Sequence, residues 1–283
     1  MTLNLDPIII EPLVRRALEE DLGLNGDITT DAVIPSDKKA TVVMAARKEG
    51  RIAGLALAET AFAMVDPKLS LRRLKPEGSD SASGDELLEI SGNARSILKA
   101  ERVALNFVGH LSGIATVTRN MQRACGNHKA RIAATRKTLP GLRAVEKYAV
   151  TVGGGLPHRM GLYDAILIKD NHIAMAGGIV PALQAAKERA GHTVKIEIEV
   201  DTLEQLDEAL TQGIADIIML DNMTLRDMAE AVRRTQGRAL LEASGGVTLE
   251  RVAQIAATGV DLISAGFITH SAPNLDIGLD FKA

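Results

Sequence analysis

The sequence is poor in the residues that mark several large classes of protein. A single cysteine, Cys125, excludes an internal disulfide framework and a zinc site built of cysteines alone. One thiol fits a reducing compartment, and a cytoplasmic location is expected. Tryptophan is absent and aromatic residues make up 2% of the chain, so stacking platforms for nucleic-acid bases are not expected. No run approaches the roughly 18 continuous apolar residues of a membrane helix. The segment Met1 to Ile10 lacks a basic stretch leading into an apolar one, which predicts no secretory leader. An excess of one charge is also missing. Lys plus Arg is 33 against 36 for Asp plus Glu, a net charge of −3, so nothing global attracts nucleic acid or an anionic membrane. An anionic ligand has to be held by a local cluster.

What is present is an ordinary globular composition, 46% hydrophobic and 24% charged over 283 residues. That length makes one large domain or two smaller ones. Pro12 to Glu20 has helical spacing, ended by Gly23 and Gly26. Thr41 to Ala46, Leu69 to Leu74 and Glu86 to Gly92 read as strands, and Arg51 to Leu55 is expected to turn back on the first across Glu49-Gly50. A long helix is predicted from Ser96 to about Gly126, interrupted near Gly109 and Gly113.

After residue 129 the pattern changes. Short apolar runs at 131–135, 165–168, 194–200, 217–220, 239–242 and 260–264 alternate with helical segments, which implies a parallel sheet. Glu199 to Asp221 is 22 residues, Asp221 to Glu242 is 21 and Glu242 to Ser264 is 22. So regular a period predicts successive staves of an α/β barrel, about six of the usual eight, hence incomplete or open. A doubly wound sheet is the alternative, although no Gly-x-Gly-x-x-Gly follows a strand.

Barrels of this type carry their chemistry at the C-terminal ends of the strands. Those positions hold Arg136 and Lys137, then Lys169-Asp170-Asn171-His172, Glu199 and Asp201, Asp221-Asn222, Glu242, Ser244-Gly245-Gly246, and Ala265-Gly266. Gly153-Gly154-Gly155, read as letting the backbone approach a ligand, precedes His158-Arg159. The cations Arg136, Lys137, His158, Arg159 and Lys169 point to a small polyanion, because Arg grips carboxylate or phosphate with a bidentate fork and Lys acts as a point charge. Glu199 and Asp221 end neighbouring staves. They fit either a shared divalent cation such as Mg²⁺ or a paired general acid and base. Ser244-Gly245-Gly246 and Gly266 fall where barrels cradle a phosphate on backbone N–H groups. No nucleophilic elbow is present, and His110, His128, His192 and His270 lack metal-ligand spacing.

These residues resemble the quinolinate phosphoribosyltransferase family over nearly the whole chain. The resemblance is carried by Ala134-Thr135-Arg136-Lys137-Thr138-Leu139-Pro140-Gly141-Leu142-Arg143, Gly153-Gly154-Gly155, His158-Arg159 and Lys169-Asp170-Asn171-His172-Ile173. It extends to Gly26-Asp27-Ile28-Thr29-Thr30, Glu101 to Phe107, Leu220-Asp221-Asn222, Glu242 to Gly246 and Leu275 to Leu279. The family often has Gln and a bulky residue where this chain has Gly109-His110, which predicts a looser helix there.

The resemblance implies an α/β fold with two parts. An N-terminal α/β sandwich is expected over residues 1–110 and an open TIM-barrel-like α/β barrel over 111–270, with the tail 271–283 packing back on the first part. It implies transfer of phosphoribose from phosphoribosyl pyrophosphate to quinolinate with decarboxylation, giving nicotinate mononucleotide for NAD biosynthesis. Arg136, His158, Arg159 and Lys169 would bind quinolinate, with Arg102 entering from a second subunit. Lys137, Ser244, Gly245, Gly246 and Gly266 would hold phosphoribosyl pyrophosphate. Glu199 and Asp221 would bind Mg²⁺ or the ribose hydroxyls, and Lys137, Lys169, Glu199 and Asp221 form the expected catalytic set. A homodimer with shared sites, or a higher oligomer, follows, without nucleic acid or membrane partners. The competing readings are a paralogue with a drifted substrate, a nicotinate phosphoribosyltransferase coupled to ATP, and a non-catalytic anion-binding barrel.

Overall fold

The computed structural model describes residues 5–282. In chain order the elements are α1 (Pro7–Leu22), α2 (Ile28–Val33), β1 (Lys39–Ala46), β2 (Gly50–Arg51), α3 (Leu55–Val65), β3 (Ser70–Arg73), β4 (Asp80–Ser81), β5 (Glu86–Asn93) and α4 (Ala94–Ala124). There follow β6 (Arg131–Ala133), α5 (Arg143–Val152), β7 (Ile166–Ile168), α6 (Asp170–Ala176), α7 (Ile179–Arg189), β8 (Ile196–Val200) and α8 (Leu203–Gln212). The chain closes with β9 (Ile217–Asp221), α9 (Leu225–Thr235), β10 (Leu240–Ser244), α10 (Leu249–Ala257), β11 (Leu262–Ser264), α11 (Phe267–His270) and β12 (Ile277–Phe281).

Two compact units divide the chain. The first comprises Met1–Arg119, Leu139–Gly154 and Thr269–Ala283. Its main sheet is antiparallel, in the order β12-β1-β5-β3. Val42 to Ala46 of β1 are all buried, so both faces of this strand are covered. The edge strand β3 is largely exposed and carries Arg72 and Arg73, charges that discourage a further strand from adding on. Helix α1 starts where Asp6 Oδ1 accepts the Ile8 N–H at 3.0 Å and stops at Gly23, whose φ is 50°.

Two local expectations are corrected in this unit. Strand β2 pairs with β4, not with β1, so the hairpin across Glu49-Gly50 does not form. The reason is α4, which claims the segment: Arg51 N–H donates to Thr116 Oγ1 at 2.8 Å and Ala53 N–H to Ser112 Oγ at 3.0 Å. Helix α4 itself runs unbroken through Gly109 and Gly113. The glycines admit a neighbouring backbone. A Cβ on Gly113 would lie 2.2 Å from the Pro273 carbonyl oxygen, and one on Gly109 3.1 Å from that of Leu275. The Leu275 N–H in turn donates to the Gly109 carbonyl at 2.9 Å. The C-terminal segment then pairs, as β12, with β1.

The second unit comprises Asn120–Thr138 and Gly155–Ile268. The boundary expected at residue 110 falls inside α4, and the excursion Leu139–Gly154 into the first unit has no counterpart in the sequence reading. The second unit is a parallel sheet of six strands in the order β6-β11-β10-β9-β8-β7. Strands β7 to β11 are neighbours in turn and β11 pairs with β6, while β6 and β7 do not pair, so the barrel is open there. Leu156 partly covers that edge of β6. Its N–H donates to Ile132 and its carbonyl accepts from Ala134. Two of the returning helices, α8 and α9, are capped by local chemistry: Thr202 and Thr224 accept the N–H of Gln205 and Asp227, both at 3.2 Å.

Candidate active site

The strand ends of the second unit surround a cavity of about 590 Å³. Strand β6 leads into Arg136 and Lys137, the segment after Leu156 brings His158 and Arg159, and β7 ends at Lys169. Strand β8 contributes Glu199, β9 contributes Asp221 and Asn222, and β10 contributes Glu242, Ser244, Gly245 and Gly246. Ten of the twelve residues expected at the site therefore line one cavity. The other two, Arg102 and Gly266, are not among its lining residues, and Arg102 is exposed on α4 in the first unit. The glycine triplet does not line it either. A Cβ on Gly153 would lie 2.6 Å from the Ala115 carbonyl and from Thr118 Cβ, so this glycine serves packing against α4, not a ligand.

The cationic side is crowded. Burial lowers the pKa of Arg159, and the like charge of Arg136 adds to the effect. Arg136 Nε is buried without a partner among the described residues, a donor of the kind an anionic ligand satisfies. Lys169 Nζ lies 2.5 Å from Glu199 Oε2, so cationic and acidic halves meet at this pair.

The acidic side is organised by its glycines. Asn222 stands at φ 53°, donates from Nδ2 to Asp221 Oδ2 at 2.8 Å, and is tied through its N–H to the Ser244 carbonyl at 3.0 Å. Gly245, at φ 86°, leaves the space: a Cβ there would lie 2.1 Å from Asn222 Oδ1. Glycine is required at this position both by backbone conformation and by contact. The donor chemistry of Glu199 and Asp221, two carboxylates in one cavity, suits a hard divalent cation.

His158 sits between two buried acids. Its Nε2 lies 3.2 Å from Glu197 Oε2 and 3.4 Å from Glu242 Oε2, while Nδ1 accepts the Arg159 N–H at 2.8 Å. Burial works against the charged ring, but the hydrogen bonds to Glu197 and Glu242 prevail and its pKa rises to about 9. A second proton has to sit on Nδ1, which ends the contact with the Arg159 N–H. The Glu197 carboxyl is itself pushed up by burial and by the charge of Glu242. Glu197 escapes a reading of strand ends because it lies inside β8. The signal was the alternation in Ile196-Glu197-Ile198-Glu199-Val200, which sets both glutamates on one face of a wholly buried strand.

The chain is similar to known proteins over nearly its whole length. Residues 27–112 match the family model for the quinolinate phosphoribosyl transferase N-terminal domain, and residues 114–280 the model for its C-terminal domain. The chain is 48% identical over 274 residues to the nicotinate-nucleotide pyrophosphorylase [carboxylating] of Mycobacterium leprae, covering 94% of this chain and 95% of that one. It is 42% identical over 271 residues to the probable nicotinate-nucleotide pyrophosphorylase [carboxylating] of Bacillus subtilis, covering 96% and 93%. Among solved structures, the nicotinate-nucleotide pyrophosphorylase of Francisella tularensis superimposes with a TM-score of 0.94 at 38% identity, over 99% of this chain and 98% of that one. The chain belongs to the quinolinate phosphoribosyltransferase family.

Proposed function

We propose that this protein transfers the phosphoribosyl group of phosphoribosyl pyrophosphate to quinolinate, releasing pyrophosphate and CO₂ and leaving nicotinate mononucleotide. The observation that carries the proposal is that Arg136, His158, Arg159 and Lys169 line one cavity together with Glu199, Asp221 and Ser244-Gly245-Gly246. The cationic side suits a dicarboxylate, and the buried, unpartnered Nε of Arg136 is a donor for one of its carboxylates. The complete cationic set argues against a drifted substrate.

In the first step the pyridine nitrogen attacks the ribose C1 as the C1–O bond to pyrophosphate breaks. Lys137 stabilises the charge that gathers on the leaving group. Ser244, Gly245 and Gly246 hold phosphoribosyl pyrophosphate on hydroxyl and backbone N–H groups. Glu199 and Asp221 would hold Mg²⁺ or the ribose hydroxyls; bound there with pyrophosphate, the ion supplies neutralisation of negative charge. Lys169, which pairs with Glu199, would exchange that partner for a quinolinate carboxylate. In the second step the electron-poor pyridinium ring loses the carboxylate next to nitrogen as CO₂, and C2 takes up a proton. Two cationic subsites account for selection of a dicarboxylate, because nicotinate leaves one of them without an anion.

The proposal includes a homodimer in which Arg102 of one subunit completes the site of the other, in keeping with its exposure on α4. It also includes a reducing, cytoplasmic setting, in keeping with the buried free thiol of Cys125. No helix among the described residues is long and apolar enough to cross a membrane.

The test is an assay of purified protein with quinolinate, phosphoribosyl pyrophosphate and Mg²⁺ that follows CO₂ and nicotinate mononucleotide together. Equal release of both, dependent on Mg²⁺, is expected. Turnover of nicotinate at a rate matching quinolinate, or no turnover by folded protein that binds quinolinate, would overturn the proposal.

A further inference from the structure

Two buried acids beside the site of an anion are a liability unless they serve something. Glu242 is fully buried and Glu197 is 3% exposed. Among the described residues Glu197 Oε1 and Glu242 Oε1 have no hydrogen-bond partner. Uncompensated, a buried carboxylate costs several kcal/mol. The cationic group within reach of both acids is His158, which approaches them with one nitrogen, Nε2. The two acids come from different strands, β8 and β10, with β9 between them, so they grip that nitrogen from two directions. His158 itself stands at φ 52°, a conformation that side chains other than glycine seldom adopt and that the surrounding structure has to maintain.

We propose that Glu197 and Glu242 are positioning residues that anchor His158 by Nε2 and so fix the ring edge, carrying Nδ1, that meets a carboxylate of the substrate. The inference rests on the reading of His158 as a quinolinate-binding residue. The charged groups around the ring are Glu197 from β8, Glu242 from β10 and Arg159 beside it, with Arg136 next to Arg159 and with Asp164 and Lys195 lining a cavity that His158 and Glu197 share. With Nε2 held by the acids, the proton that makes the ring cationic goes to Nδ1 and turns it from an acceptor of the Arg159 N–H into a donor. The same acids raise the pKa of the ring to about 9, so the charged form is available at neutral pH. The ligand atoms of His158, Glu197 and Glu242 also lie within 4.8 Å of one another, close enough to hold a metal ion. The anchoring role is favoured because a bound ion would occupy the nitrogen that both acids grip and place a cation where His158 already supplies one.

The experiment compares Glu197→Gln, Glu242→Gln and the double variant, each in the wild-type and His158→Asn backgrounds. Gln keeps the volume and removes the charge. Each Gln variant is expected to raise the KM for quinolinate roughly tenfold, about one pKa unit of interaction, with the KM for phosphoribosyl pyrophosphate within about twofold. The alkaline limb of quinolinate binding, measured by calorimetry without turnover, is expected to move to lower pH. In the His158→Asn background the Gln substitutions should add no further loss, since both act through the ring. Full additivity there, or an unchanged quinolinate KM in folded Gln variants, would overturn the inference. So would one equivalent of divalent metal in the wild-type protein that both Gln variants lose. If His158→Asn alone leaves quinolinate affinity intact, the reading of the site fails, and this inference with it.

Discussion

At the scale of single residues the site depends on contacts that admit no extra atom. Gly245 combines a positive φ with a Cβ position 2.1 Å from Asn222 Oδ1. Gly245→Ala has to displace Asn222, and with it the hydrogen bond that orients Asp221. We expect a loss of roughly tenfold or more in kcat/KM for phosphoribosyl pyrophosphate, equivalent to about 1.4 kcal/mol, while quinolinate affinity measured by calorimetry stays within about twofold. An equal loss for both substrates would show that Gly245 supports the fold alone. His158 makes a second prediction. Its folded pKa of about 9 lies above the ordinary value of 6.5, so the stability it contributes is complete below the lower figure and lost as pH rises through the higher. Denaturant titrations are expected to show wild-type stability falling between about pH 6.5 and 9, and His158→Asn flattening that fall. The cations at the site were legible as residue types at strand ends. Glu197 was not, because a glutamate inside a short strand reads as solvent-facing until burial is known.

At the scale of elements, propensity and packing pull in opposite directions, and packing decides. Gly109 and Gly113 look like breaks in a helix, since glycine costs about 1 kcal/mol relative to alanine in a helix interior. Helix α4 accepts that cost and continues, because the backbone around Pro273 and Leu275 lies against it. Gly113→Ala therefore tests sign as well as size. Helix propensity favours the alanine by about 1 kcal/mol, but its Cβ would meet a carbonyl oxygen at 2.2 Å. Backbone displacement of this kind typically costs ~1–3 kcal/mol or more. A net loss of stability is expected, read as a lower denaturation midpoint; a gain would mean that the C-terminal segment yields freely. The hairpin expected at Glu49-Gly50 failed for a related reason. Turn chemistry is local, but Thr116 and Ser112 of α4 take the Arg51 and Ala53 N–H groups, and β2 pairs with β4 in place of β1.

At the scale of the whole molecule, the proposed sharing of the site between subunits has a direct test. Arg102→Ala and Arg136→Ala are each expected to be nearly inactive. After subunit exchange of an equal mixture, half of the dimers pair one variant with the other, and each has one site carrying both arginines. About a quarter of wild-type activity should return. No recovery after demonstrated exchange would place Arg102 outside the partner's site.

The sequence by itself determined the repeating order of short strands and helices, the six staves and the set of charged groups at their ends. These follow from hydrophobic period and residue type, which are properties of neighbours along the chain. It could not assign roles to its glycines, since Gly113, Gly153 and Gly245 are one residue type meeting a carbonyl of the C-terminal segment, a helix backbone and an asparagine that lines the cavity. The tertiary structure alone decided those roles, the partner of β2, the joining of Lys169 to Glu199 and the enclosure of His158 between Glu197 and Glu242. Each depends on atoms brought within a few ångströms from distant parts of the chain, where burial and the need to pair polar groups outweigh local preference.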